Sequence, residues 1–131
     1  IANNGKLMKP YLVDSVKNSA GTITKEFKPS VYGELMTETE AAAMQTLMEA
    51  VVTEGTASRL KGLSYTAAGK TGSAEYGTVK GESHAWFTGY APAENPQVCV
   101  TIIIEGAGAG GDYAVPIAKR IFDAYLTEPQ S

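Results

Sequence analysis

The chain has 131 residues, enough for one domain with a modest core. Its 44% hydrophobic and 19% charged residues are ordinary for a globular protein, and a net charge of −3 gives no electrostatic basis for holding nucleic acid or an anionic membrane. No apolar run approaches the roughly 20 residues of a membrane span, nothing resembles a signal peptide, and the start at Ile1 leads us to expect a portion of a longer protein.

Ile1 to Gly5 is too short for an element of its own, and Asn4-Gly5 is a turn signal. Residues 6–17 and 22–28 are expected as two strands joined at Asn18-Ser19-Ala20-Gly21, a lysine-rich, partly exposed hairpin over 6–28 that serves as scaffolding. Pro29 to Met36 reads as irregular. A helix over 37–54 follows, opened by Thr37 with Glu40 three residues on, the pattern of a capping box. Met44, Leu47, Met48, Val51 and Val52 recur at steps of three and four and should form its core face, with Gly55 ending it.

Ser58-Arg59-Leu60-Lys61 has the spacing of a serine nucleophile and its lysine base on a helix. Gly55 and Gly62 leave too little room for such a helix, and the stretch reads as a solvated loop. The next segment, Ala67-Ala68-Gly69-Lys70-Thr71-Gly72-Ser73-Ala74-Glu75-Tyr76-Gly77, is the most informative in the chain. Glycine inside a strand marks close approach to the backbone. Alternation sends Lys70 to one face and Thr71 and Ser73 to the other. The expected result is a strand edge that offers a cation, two hydroxyls and backbone N–H groups to an anionic or carbonyl-bearing ligand. Gly69-Lys70-Thr71 also ends the phosphate-loop pattern, but that pattern needs glycine at Ser64 and a helix starting at Lys70, which Gly72 and Gly77 oppose.

A glycine-flanked turn at 77–83 leads to strands over His84–Ala91 and Val98–Glu105, which with the lysine strand make an antiparallel meander over 66–105. Trp86 and Phe87 should pack on opposite faces. Cys99, the single cysteine, is expected as a buried core thiol. His84, the single histidine, cannot supply a metal cluster and reads as structural. No metal and no cofactor is expected. Gly106-Ala107-Gly108-Ala109-Gly110-Gly111 fits a dinucleotide-binding fingerprint, a remote nucleotide-module alternative; with no following parallel strand, it reads as a flexible connection. A final helix over 112–126, with Asp112 as N-cap, should pack Ala114, Ile117, Ala118, Ile121, Phe122 and Tyr125 on the sheet, ahead of a frayed tail.

Five stretches then point the same way: Ile1–Pro10, Val51–Ala57, Lys70-Thr71-Gly72, His84–Pro92 and Pro116–Phe122. In order, and over nearly the whole chain, they resemble the C-terminal part of the transpeptidase domain of penicillin-binding proteins, of the monofunctional class within the penicillin-recognising serine enzymes. The resemblance implies an α+β piece: an antiparallel β-meander, the K-T-G strand and the two after it, packed by a C-terminal helix and a preceding helix. It implies a parent D,D-transpeptidase that cross-links peptidoglycan D-Ala-D-Ala stem peptides through a serine acyl-enzyme, and that β-lactams trap.

By the same resemblance, Lys70, Thr71, Gly72 and Ser73 bind substrate, with Lys70 and the Ser73 backbone N–H (half of the oxyanion hole) assigned as catalytic. The family's S-x-x-K helix and S-x-N loop are not found, so this polypeptide alone is expected to be inactive. It is expected to dock on the missing upstream half or to self-associate, and to derive from a membrane-anchored parent at the extracytoplasmic face. A non-catalytic β-lactam sensor of the same fold is the alternative, and a carboxypeptidase or β-lactamase a third.

Overall fold

A computed structural model describes residues 1–77 and 81–127. The turn expected at 77–83 lies in part, and the tail beyond Thr127 wholly, outside these residues. Four short strands open the chain: β1 (Lys6–Met8), β2 (Ser15–Lys17), β3 (Ile23–Glu26) and β4 (Val31–Glu34). They form two separate antiparallel ladders, β2 with β3 and β1 with β4, in place of the single hairpin expected over 6–28. Pro10 and Pro29 have no N–H to give, so the ladder breaks where they stand. Single bonds from Lys9 N–H to the Ser30 carbonyl and from Phe27 N–H to the Asp14 carbonyl (both 2.8 Å) bridge the gap. The segment read as irregular after Pro29 is therefore β4, the return strand. At the tip Asn18 Oδ1 accepts from the N–H groups of Ala20 and Thr22, an Asx-type turn.

Helix α1 (Glu38–Thr53) begins at the capping box. Thr37 Oγ1 accepts from Glu40 N–H at 3.3 Å, and the Glu40 carboxylate accepts from Thr37 N–H at 2.8 Å. The Thr37 backbone N–H first, then the Thr37 hydroxyl, donate to the Glu40 carboxylate and hold that carboxyl below its ordinary range. Its buried residues are Ala41, Met48 and Val52. Met44 and Leu47 are exposed, contrary to the core face expected of them. A 3-10 turn (Ser58–Leu60) follows, pinned by Leu60 and by Ala57, both buried.

Strands β5 (Ala68–Glu75), β6 (Ser83–Ala91) and β7 (Val98–Ile104) make an antiparallel sheet in the order β5-β6-β7. Alternation gives it two different faces. Thr71, Ala85, Phe87, Val100 and Ile102 share the face that helix α2 (Gly110–Leu126) covers. Lys70, Trp86, Thr88, Cys99, Thr101 and Ile103 share the other. Phe87 is fully buried between two glycines: a Cβ on Gly69 or Gly89 would stand 2.5 Å from its ring. Burying that ring contributes roughly 1.5–3 kcal/mol, and it explains why glycine precedes Lys70. Trp86 lies exposed on the opposite face, as alternation requires.

Cys99 is exposed, which corrects the buried thiol expected of it. The apolar run of β7 hides its own phase: Val98, Val100, Ile102 and Ile104 turn toward α2, and Cys99 falls between them. Below it on the same face, Tyr90 is buried against Met48, its hydroxyl without a hydrogen-bond partner among the described residues. Burial pushes that hydroxyl up to about 12.

Helix α2 starts at Gly110, with Ala109 as N-cap and no side-chain cap; Asp112 stands in its first turn and is not the N-cap. Its sheet-facing stripe is Gly110, Ala114, Val115, Ala118 and Phe122, while Ile117, Ile121 and Tyr125, expected inside, are exposed. Small residues at steps of four let the helix lie close on the sheet, and closeness outweighs the larger apolar area of the isoleucines. The entry to β5 is tied to α2 through Tyr65, whose hydroxyl donates to Asp123 Oδ1 at 2.7 Å, while Lys119 Nζ reaches Asp123 Oδ2 at 2.6 Å. Lys119 first, then Tyr65, hold the Asp123 carboxyl below its ordinary 3.8. A depressed carboxylate stabilises the fold above its unfolded value, and the effect fades as pH falls through the folded one. Asp123→Asn is therefore expected to cost about 1 kcal/mol near neutrality, the charged bonds being discounted for exposure. In denaturant melts that gap should close as the pH drops below 3.8.

Candidate active site on the β5 edge

Among the described residues no strand pairs with the outer edge of β5. Which backbone groups face that edge follows from the phase of the ladder. Tyr76 N–H donates to the Glu82 carbonyl at 3.2 Å, one pair beyond Glu75 and Ser83, so even-numbered residues of β5 exchange bonds with β6. Thr71 and Ser73, odd-numbered, turn their N–H and C=O groups to the open side. Lys70 agrees with this phase: its side chain starts on the face away from α2, and its Nζ reaches round to the Thr71 carbonyl at 2.7 Å. The ammonium therefore sits at the edge itself.

Thr71 and Ser73 line a cleft of about 360 Å³ on the α2 side of that edge. Its opposite walls are the turn after α1 and the 3-10 turn that follows, through Thr56, Ser58 and Arg59, and the start of α2, through Gly110, Gly111 and Asp112. The Thr71 side chain is nearly buried, and its hydroxyl lies 2.5 Å from that of Thr56. Ser73 is exposed. Gly72 turns toward Trp86, and a Cβ there would crowd the Trp86 Cβ at 3.3 Å.

The glycine run that resembled a dinucleotide fingerprint has a different use. Gly106 and Gly108 take positive φ in the turn after β7, and Gly110 and Gly111 are packing positions. A Cβ on Gly110 would stand 2.1 Å from the Trp86 carbonyl oxygen and 2.7 Å from that of Gly72; one on Gly111 would stand 2.5 Å from the Thr56 carbonyl. Only glycine lets the helix seat its N-terminus against β5. The sheet it follows is wholly antiparallel, which removes the nucleotide-module reading. The same contact places N–H groups that precede the first intrahelical bonds, and the positive end of the helix dipole, beside the cleft. With Lys70 and Arg59 they favour an anion. Arg59 Nη2 and Asp112 Oδ1 are 3.5 Å apart across the far wall, an exposed pair of little energetic weight.

Residues 1–123 match the penicillin binding protein transpeptidase domain. The chain belongs to that family. It is 32% identical to the peptidoglycan D,D-transpeptidase MrdA of Haemophilus influenzae over 98% of its own length, and 34% identical to PbpA of Mycolicibacterium smegmatis over 98%. It spans 22% and 27% of those two relatives. Among solved structures it is similar to the D,D-transpeptidase domain from Eggerthella lenta, at 33% identity and a TM-score of 0.83, covering 97% of this chain and 30% of that one. It is also similar to penicillin-binding protein A from M. tuberculosis in its imipenem acyl-enzyme complex, at 31% identity and a TM-score of 0.84, covering 96% of this chain and 28% of that one.

Within this transpeptidase segment the structure keeps Lys70, Thr71 and Ser73 on one strand edge, with Thr71 and Ser73 in one cleft. Lys61 Nζ donates to the Thr53 carbonyl at the end of α1, at 3.0 Å, rather than to the Ser58 hydroxyl. Ser58 is not simply a solvated loop residue, however, since it forms part of the cleft wall. Ser58 stood out only through its S-x-x-K spacing and Asp112 only as an expected helix cap; nothing in the sequence marked them, Thr56 or Arg59 as neighbours of Thr71, because three-dimensional proximity alone brings them there. His84 is structural: its Nδ1 accepts from Gly106 N–H at 3.0 Å and its ring stacks on Tyr76 with centroids 4.2 Å apart.

Proposed function

We propose that this chain is the substrate-binding half of a peptidoglycan D,D-transpeptidase site, with β5 as the strand against which the stem peptide lies. The observation that carries this is the open β5 edge, where a lysine ammonium and outward backbone groups meet a cleft lined by Thr71 and Ser73. An extended peptide would add to that edge as a further strand. Thr71 and Ser73 would donate to its terminal carboxylate, with Lys70 supplying positive charge. The Ser73 N–H faces the side where a developing oxyanion would sit, as half of an oxyanion hole. A serine from the rest of the domain would attack the penultimate D-Ala carbonyl, forming an ester and expelling D-alanine. The amine of a second peptide would then displace the serine. β-Lactams would stop at the ester.

The exposed apolar surfaces, Trp86 and Ile103 on the sheet and Ile117 and Ile121 on α2, would be covered by that remaining portion or, without it, by self-association. The parent would work at the extracytoplasmic face of the cell membrane. Among the described residues no helix is long and apolar enough to cross one.

Intact-mass measurement after incubation with penicillin G tests the reading. No adduct is expected on this chain alone, and one is expected on the complementary part of the domain once the two are mixed. An adduct on this chain alone, mapped to Ser58, would overturn it.

A further inference from the structure

We propose that Thr56 is a positioning residue that aims the Thr71 hydroxyl at the ligand carboxylate; the inference rests on the functional reading above. The two hydroxyl oxygens are 2.5 Å apart, and either can donate. A hydroxyl has one proton and two lone pairs. If Thr71 donates to Thr56, it has no proton left for a carboxylate, which only accepts. When Thr56 donates instead, the Thr71 proton is directed outward and its bond is strengthened by the one it receives. A bound carboxylate therefore selects the second arrangement, and Thr56 is what makes that arrangement available. Thr71 is only 9% exposed, so water has little room to replace this donor.

Thr56 is also held in place for the task. The neighbouring Ala57 is buried and donates its N–H to the Val51 carbonyl at 3.0 Å. On the other side α2 closes so tightly that Gly111 has no room for a Cβ against the Thr56 carbonyl. The end of α1, the start of α2 and the site strand thus meet at one hydroxyl pair. A threonine serving only as scaffold would need its methyl group and backbone, not this bond.

Thr56→Val keeps the shape and removes the hydroxyl. In a complete transpeptidase domain carrying this segment, its second-order acylation by penicillin G should fall about five- to tenfold, with no comparable loss for penicillin G methyl ester, which has no carboxylate. Thr56→Ser should restore the rate, and in a Thr71→Val background Thr56→Val should add no further loss. Thermal midpoints of all variants are measured alongside. Equal losses on acid and ester, or no loss on either, would overturn the inference. If Thr71→Val slows acylation but Thr56→Val does not, this proposal alone fails; if Thr71→Val itself has no effect, the functional reading fails with it.

Discussion

Replacing Gly110 with alanine in a complete transpeptidase domain is expected to destabilise it by about 3 kcal/mol or more, the upper range for forcing atoms into packed space. The new methyl would meet three backbone atoms at 2.1, 2.7 and 3.1 Å: the Trp86 carbonyl oxygen and the oxygen and nitrogen of Gly72. None of these can rotate away as a side chain would. Relief requires α2 to lift from the sheet, and the buried stripe of Ala114, Val115, Ala118 and Phe122 then loses its contacts together. Denaturant midpoints measure the loss. Gly33→Ala is the matched control, since nothing lies within 4 Å of the Cβ it would add. A Gly110→Ala domain as stable as the control would show that the helix is not seated on β5 as described. The variant should also weaken ligand capture in whatever fraction remains folded, because Gly72 lies between Thr71 and Ser73.

Lys70→Ala should do the reverse, leaving stability intact and stopping chemistry. Lys70 is exposed, and the hydrogen bond described for its ammonium is to its own strand at Thr71. Among the described residues it belongs to neither core cluster. Its charge stands on the open edge beside the groups proposed to receive the carboxylate and the oxyanion. Removing one preorganised group from such a site costs about a hundred- to a thousandfold in rate, and a loss of that size is expected in β-lactam acylation of the complete domain. Lys70→Arg should fall between, because a planar fork does not replace a compact ammonium at the same point. Acylation of Lys70→Ala at the wild-type rate would remove lysine from the site.

The parts of this molecule that could be read from sequence are those governed by local periods. Thr37 and Glu40 sit three apart, and a capping box needs nothing else. Lys70, Thr71 and Ser73 divide between faces because a strand alternates. What could not be read depends on which face a distant element covers. Cys99 and Val100 are equally apolar neighbours, and only the placement of α2 decides that one is exposed and the other partly buried. On α2 itself, hydrophobicity favoured Ile117 and Ile121, but the helix turned its small residues inward. Gly110 and Gly111, which open it, were read as part of a flexible connection when they are the tightest contact in the site. The cleft wall of Thr56, Arg59 and Asp112 is assembled from the ends of three elements and leaves no spacing to recognise.

The seating of α2 has a mechanical consequence. Gly110 bears on the backbone of two adjacent strands and Gly111 on that of the turn opposite, so helix, sheet edge and turn form one rigid frame with no joint between them. Ligands of different bulk cannot be accommodated there by hinge motion. Adjustment falls to groups that rotate about single bonds, the exposed side chains of Arg59 and Asp112 at the rim, while the strand proposed to receive the carboxylate keeps one shape for every ligand.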